Sequence, residues 1–141
     1  MRYQVILRYI CVRFNMKIEK IEDLDAWKES TILCEMIYQV TNTLPESEKY
    51  TLTKHLRASS RGIAANIAEG FGRYYYKENL RFYGIAKGCL NEVKSDINIC
   101  FQIKYINQEK FDEIIYQINK TESILNGLMS NVLKRLNNNA K

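Results

Sequence analysis

Apolar residues recur at intervals of three and four along most of this chain, the spacing that lines up one face of an α-helix. This pattern predicts four helices, over residues 23–43, 48–69, 77–101 and 108–136. One proline and six glycines interrupt 141 residues, and such sparse punctuation favours a few long helices over many short strands. Short connections place successive helices antiparallel. We therefore expect an all-α fold, an antiparallel up-down-up-down four-helix bundle.

The apolar positions also predict which side of each helix faces the core. In the first helix two neighbouring stripes cover roughly half of the circumference, while Ile32 and Met36 project from the otherwise polar side. This wide apolar surface indicates either contact with another subunit or ordinary exposed apolar area. The predicted core positions are Leu24, Trp27, Thr31, Cys34, Tyr38 and Thr41 with Leu33, Ile37, Val40 and Leu44 in the first helix, Leu52, Leu56, Ser59, Ile63 and Ile67 in the second, Phe82, Ala86, Cys89, Val93, Ile97 and Cys100 with Tyr83 and Leu90 in the third, and Phe111, Ile114, Ile115, Ile118, Leu125, Leu128, Met129, Val132, Leu133 and Leu136 in the fourth.

Three breaks separate the four predicted helices. Pro45 ends the first, because the residue before a proline resists the helical conformation. Gly70 and Gly72 end the second, and we expect glycine there to adopt the left-handed conformation that closes many helices. Residues 104–107 form the third connection, and the asparagines at 137–139 should fray beyond the last helix.

Residues 1–15 fall outside the helical pattern. Three arginines interrupt their apolar residues, so the segment holds neither an uninterrupted signal-peptide core nor a membrane span. A second methionine, Met16, stands just before the region with the features of a domain. We predict an N-terminal extension over residues 1–15, disordered or loosely docked, and the bundle over residues 16–141. A short helix or strand packed on the bundle is the alternative for the extension.

The cysteines bear on the cellular compartment. Cys11, Cys34, Cys89 and Cys100 are scattered along the chain and form no Cys-x-x-Cys pair. A secreted domain held by disulfides is typically shorter and denser in cysteine. Three of the four lie on predicted apolar faces, where a free thiol packs as a small hydrophobe. We therefore expect a reduced, cytoplasmic protein.

Motifs for catalysis or metal binding are not recognisable in this sequence. Di-metal sites in four-helix bundles need Glu-x-x-His repeats, whereas this chain has a single histidine, His55, and no such repeat. We expect His55 to be hydrogen-bonded and partly buried rather than a ligand or base. Glu69 and Glu92 fit helix capping or interhelical hydrogen bonds better than acid–base catalysis, and residues 70–73 lack the Lys-Ser/Thr ending of a phosphate-binding loop. The sequence thus predicts a protein that is not an enzyme, with no catalytic residue, cofactor or metal.

The positive charge of the chain is concentrated in one region. Between Lys54 and Lys94 there are eight basic and three acidic residues, an excess of five that equals the net charge of the whole chain, +5. Lys54, Arg57 and Arg61 follow a three–four spacing that places them opposite the apolar stripe of the second helix. The excess therefore belongs to the second and third helices and the turn between them.

Aromatic residues accompany these cations, since the tyrosines at 74–76 interleave with Arg73, Lys77 and Arg81. Guanidinium groups and aromatic faces suit phosphate contact and base stacking. A solvated basic face is the alternative, and membrane contact is disfavoured because no large apolar patch accompanies the charge. The candidate nucleic-acid-binding residues are Lys54, Arg57, Arg61, Arg73, Lys77, Arg81 and Lys87.

Several segments resemble the four-helix-bundle family of the 23S rRNA intervening-sequence proteins. The resemblance rests chiefly on residues 66–73 (NIAEGFGR), supported by residues 23–28 (DLDAWK), 56–60 (LRASS) and 81–88 (RFYGIAKG) with residues 90–92 (LNE), and spans about residues 21–136. This chain departs from the family at three places. Ala58 stands where a second arginine is usual, residues 62–64 read Gly-Ile-Ala instead of Ser-Ile-Pro, and Arg61 replaces a commonly apolar residue.

The resemblance implies a function that composition and spacing do not. The family is similar to the accessory variability determinant proteins of diversity-generating retroelements, which are basic, pentameric, and bind nucleic acid and a reverse transcriptase. By this resemblance we expect a homopentamer with a non-enzymatic RNA-binding role. The alternative is a protein-interaction adaptor or oligomeric scaffold, for example for a reverse transcriptase, which docks through the first helix around Ile32 and Met36.

Overall fold

In the computed structural model, which describes residues 18–140, the chain folds into four α-helices, as the apolar pattern predicts. No strand occurs in this range. Short 3₁₀ turns at Ile21–Asp23 and Glu46–Glu48 precede the first and second helices. The predicted extension at residues 1–15 lies outside the described residues. The helices are α1 (Asp25–Thr41), α2 (Leu52–Phe71), α3 (Tyr76–Gln102) and α4 (Gln108–Asn139).

Side-chain contacts confirm the antiparallel order. Each helix packs on the one before and the one after it, and α1 closes the ring by packing on α4. The start of α2 meets the end of α3, where His55 contacts Asp96, and the end of α2 meets the start of α3, where Gly70 lies against Tyr83. The result is a four-helix bundle in up-down-up-down order.

Buried aliphatic side chains from all four helices form one core. Among the completely buried residues are Leu33 and Ile37 of α1 and Leu56 and Ile63 of α2, joined by Leu90, Ile97, Ile114, Ile118 and Leu125 of α3 and α4. Burial of such side chains stabilises the fold by about 1.5–3 kcal/mol each relative to exposure. This core is continuous along the bundle.

The inward face of α1 is rotated relative to the sequence prediction. Of its two predicted stripes, the one containing Leu33, Ile37 and Val40 is buried, whereas Trp27 and Tyr38 of the other are only half-buried. The reason is that α1 packs on just two neighbours, α2 and α4, so an apolar surface wider than their groove remains partly in contact with solvent.

Helix α4 is longer than predicted. It continues through the asparagines at 137–139, which were expected to fray. Leu133, a predicted core residue, is 48% exposed, and Leu136 is half-buried. No helix between residues 18 and 140 is both long enough and apolar enough to cross a membrane.

The turn between α2 and α3 closes differently from the expectation. Gly72 has φ −75°, and no described glycine adopts a left-handed conformation, so the predicted glycine cap is wrong. Instead the Asn79 amide donates to the carbonyl of Gly70 at 2.5 Å and to that of Arg73 at 2.9 Å. The buried side chain of Asn79 thereby satisfies one carbonyl in the last turn of α2 and one in the connection that follows it.

Gly70 serves packing rather than backbone conformation. A Cβ atom there would lie 2.7 Å from Cε1 of Tyr83, closer than real carbon contacts allow. The missing side chain lets the end of α2 approach α3 closely. Among the described residues, Lys104 alone has a left-handed backbone conformation, with φ 64°, and it lies in the α3–α4 connection.

Candidate nucleic-acid interface

Four of the seven candidate cations are exposed and free of ion pairs with other described residues. Lys54 and Arg61 lie on α2, and Lys77 and Arg81 lie on the first two turns of α3. None of the salt bridges between described side chains includes them. Their charges are therefore available to an external anion.

Arg57 is instead committed to the bundle. Its Nε donates to Oγ1 of Thr41 at 2.8 Å and its guanidinium to Oδ1 of Asn42 at 2.8 Å. The guanidinium also lies 4.8 Å from the ring centroid of Tyr38. These contacts hold the end of α1 against α2, so Arg57 has a structural role whatever else it contacts.

Two arginines flank one aromatic ring beside the α2–α3 turn. The guanidinium carbons of Arg73 and Arg81 lie 4.9 and 5.3 Å from the ring centroid of Phe82, within the range of cation–π attraction. Arg73 also pairs with Glu69 one helical turn before it. Both guanidinium groups are thus held at the end of the bundle while their outer faces remain accessible.

Two tyrosines of the turn project from the same end. Tyr74 and Tyr75 are 88% and 67% exposed. Their rings make an edge-to-face pair with centroids 5.2 Å apart. Both tyrosines stand between Arg73 and Lys77 in the chain. The turn therefore presents aromatic faces and cations together.

Lys87 does not join this group. Its Nζ donates to Oδ1 of Asn126 on α4 at 2.9 Å. Lys94, two turns further along α3, also contacts α4: its Nζ lies 3.3 Å from Oδ1 of Asn119 and 3.7 Å from Oε2 of Glu122. These two lysines lie in the α3–α4 groove, whereas Lys54 and Arg61 belong to α2. The candidate residues thus divide between two sides of the bundle.

A polar cluster joins α2 to α3 at the other end of their contact. Nδ1 of His55 lies 2.5 Å from Oδ2 of Asp96, and Nε2 lies 3.9 Å from Oε2 of Glu92. The hydroxyl of Ser59 donates to the same Glu92 carboxylate at 2.9 Å. Glu92 therefore makes the predicted interhelical hydrogen bond, and Glu69 pairs with Arg73 at the surface.

Asp96 was not identified from the sequence as the partner of His55. It is 9% exposed, and its spacing of three from Val93 and four from Cys100, both core residues, was the available signal. His55 is hydrogen-bonded as expected but its side chain is 53% exposed. The hydrogen bond to Asp96 raises the pKa of His55 above its ordinary value, and the nearby charges of Asp96 and Glu92 act in the same direction.

The described cysteines are free thiols, with Cys34 and Cys89 half-buried and Cys100 buried. Burial raises the pKa of Cys100 to about 11, and the charges of Asp96 and Glu48 add to the effect. This thiol is thus protonated at neutral pH. Between residues 18 and 140 no three His, Cys, Asp or Glu side chains are grouped so as to hold a metal ion.

A partly exposed apolar surface lies on α1. Ile32 is 45% exposed. Met36 is half-buried at a groove of about 400 Å³ between α1 and α4, which also contains Val40, Tyr105 and Ile114. The adjoining helix contact is polar, because Gln117 donates to the Glu29 carboxylate at 2.8 Å. Part of the predicted wide apolar face is therefore accessible.

Comparison with known proteins agrees with this fold. The chain is similar to a crystallised protein of unknown function from the S23 ribosomal protein family of Bacteroides thetaiotaomicron VPI-5482, with a TM-score of 0.69 and 19% sequence identity. The alignment covers 74% of this chain and 97% of the other, and at this identity it shows the fold alone. No curated protein matches the chain. The family model of the 23S rRNA-intervening sequence proteins matches residues 22–127, which is most of the chain. This protein therefore belongs to that family.

Proposed function

We propose that this protein is a non-enzymatic nucleic-acid-binding bundle whose ligand is RNA. The proposal depends on the groups exposed at the end of the bundle that contains the α2–α3 turn. There the exposed rings of Tyr74 and Tyr75 stand beside the exposed cations Arg73, Lys77 and Arg81. The family's association by name with an intervening sequence of 23S rRNA supports RNA over DNA.

Each component of this surface suits one part of an RNA ligand. Lysine and arginine side chains neutralise phosphates and supply most of the affinity of such interfaces. Tyrosine rings stack on unpaired bases, which single-stranded loops and bulges offer. Lys54 and Arg61 extend the positive surface along α2. An RNA with an unpaired segment next to a helical stem would thus engage both kinds of contact.

A binding assay with rRNA fragments at several salt concentrations tests the proposal. We expect the affinity to fall steeply with salt, and the double variant R61Q/R81Q to lower the log–log slope by about 1.4–1.8, which corresponds to two phosphate contacts. Neither arginine forms an ion pair with another described residue, so the variant should keep its helicity.

The matched control is K28Q/K110Q. It also removes two charges, but from lysines paired with Asp25 and Glu113 away from the proposed surface. This control should retain most of the affinity. Binding without salt dependence, or equal loss in both double variants, would contradict the proposal.

A second candidate function is a protein-interaction adaptor or oligomeric scaffold, for example for a reverse transcriptase, without direct RNA binding. The exposed Ile32 and the α1–α4 groove beside Met36 favour it, because accessible apolar side chains beside a groove suit a protein partner. With this function we propose that the protein assembles as a homopentamer and is related to the accessory variability determinant proteins.

Freshly purified protein separates the two functions. Light scattering gives the oligomeric state, and the absorbance ratio at 260 and 280 nm reports retained RNA. A defined oligomer without retained RNA favours the adaptor. If the purified protein retains RNA, and the I32Q variant retains it equally, the nucleic-acid function is favoured.

A further inference from the structure

A cavity of about 490 Å³ opens next to the His55–Asp96 pair, away from the α2–α3 turn. Clefts of roughly 300–1,000 Å³ are the usual size for small-molecule sites. Its exposed wall surface is largely apolar, and the polar residues among its walls are Thr51, Lys54 and the His55–Asp96 pair. The residues that line it are Tyr50, Thr51, Leu52, Lys54, His55, Ala58 and Asp96.

The carboxylate of Asp96 gives this cavity a hydrogen-bond acceptor. Oδ2 of Asp96 accepts the bond from Nδ1 of His55. Oδ1 has no hydrogen-bond partner among the described residues, although every fully buried side-chain oxygen or nitrogen there is paired. Oδ1 therefore keeps some accessible surface in a side chain that is 12% exposed, and since Asp96 lines the cavity, the cavity offers a carboxylate acceptor.

The remaining walls suit a flat, phosphorylated molecule. Tyr50, 78% exposed, provides an aromatic face at the rim, and Leu52 and Ala58 provide apolar surface. The ammonium group of Lys54 makes no ion pair with another described residue. An aromatic face, an acceptor and a free cation together match the ring, the amino group and the phosphate of a nucleotide.

We propose that this cavity binds one unpaired nucleotide whose base carries an exocyclic amino group. The base lies on Tyr50, its amino group donates to Asp96, and its phosphate approaches Lys54. Adenine, cytosine and guanine present such a donor, whereas the N3–H of uracil lies between two carbonyl oxygens that a carboxylate repels. Acidic side chains accept from cytosine N4 in this way. The proposal rests on the RNA-binding function and adds base selectivity at a second place on the bundle.

The histidine supplies a direct reporter of occupancy. Because His55 is the only histidine of the chain, its Cε1–H proton gives a single assignable NMR signal. We would titrate the unaltered protein with AMP, CMP, GMP, UMP and inorganic phosphate. We expect the three amino-bearing nucleotides to shift the signal with apparent affinities about tenfold above that of UMP, and phosphate alone to shift it least.

Two variants assign the contacts. K54Q changes an exposed side chain and should keep the fold. It should lower the affinity for nucleotides but leave the affinity for the corresponding nucleosides unchanged. D96N should abolish the preference over UMP, with circular dichroism as the check of folding. K28Q, which changes an exposed lysine on α1 outside both proposed sites, is the control and should bind mononucleotides normally.

The proposed pocket would be contradicted if the His55 NMR signal did not shift, or if all four nucleotides bound the unaltered protein with equal affinity. A K54Q protein that binds nucleotides as before would contradict it as well. The RNA proposal fails separately, through loss of salt-sensitive RNA binding. Mononucleotide binding that persists without RNA binding would therefore retain the pocket and reject the RNA function.

Discussion

At the residue scale, the contact between His55 and Asp96 has the clearest energetic consequence. Its two atoms are 2.5 Å apart across the α2–α3 contact, and the pKa of His55 is raised chiefly by this hydrogen bond. A proton bound more tightly in the folded protein than in the unfolded chain stabilises the fold. The contribution is complete below the unfolded pKa of about 6.5 and is lost as pH rises through the higher folded value.

We therefore expect the free energy of unfolding to fall between pH 6 and pH 8. Histidine is the side chain whose ordinary pKa lies in this window, and the chain has only one. Urea unfolding at the two pH values measures the effect. D96N should reduce the dependence because an amide attracts the imidazolium less, and H55Q should remove it. An unchanged dependence in H55Q would assign it to another group.

At the element scale, the α2–α3 contact shows how side-chain size controls the approach of two helices. Gly70 allows the ring of Tyr83 to lie against the end of α2, where a Cβ would be 2.7 Å from Cε1. Gly84, on α3, has no neighbouring atom within 4 Å of such a Cβ. The two helical glycines thus differ in what an added methyl group would meet.

We expect G70A to lower the free energy of unfolding by about 1–3 kcal/mol, the usual cost of overpacking. G84A should raise it by about 0.5–1 kcal/mol, because alanine is the better helix former and meets open space. Urea unfolding of the two variants measures both values. If G70A were as stable as G84A, the close packing of α2 on α3 would be incorrect.

At the scale of the whole molecule, every helix packs on two neighbours around one continuous core. Such an arrangement should unfold as a unit, since removal of one helix exposes the apolar faces of two others. The cations add a second global feature. The bundle places Lys87 and Lys94 in the α3–α4 groove, separate from the cations of α2 and the α2–α3 turn.

We expect urea unfolding to be two-state. Trp27, the only tryptophan of the chain and part of α1, reports on one helix by fluorescence, whereas far-ultraviolet circular dichroism reports on all four. The two transitions should share one midpoint. An earlier fluorescence midpoint would mean that α1 detaches before the rest of the bundle unfolds.

The sequence by itself determined the four helices, their order and the main core faces, because helical periodicity and chain breaks are local properties. It also located the basic region and the tyrosine-rich turn. Only the tertiary structure decided which groups meet. Asp96 reaches His55, Asn79 closes the turn that glycine was expected to close, and Lys87 faces α4. These contacts depend on the rotation and approach of whole helices, which follow from packing across the bundle rather than from any one segment.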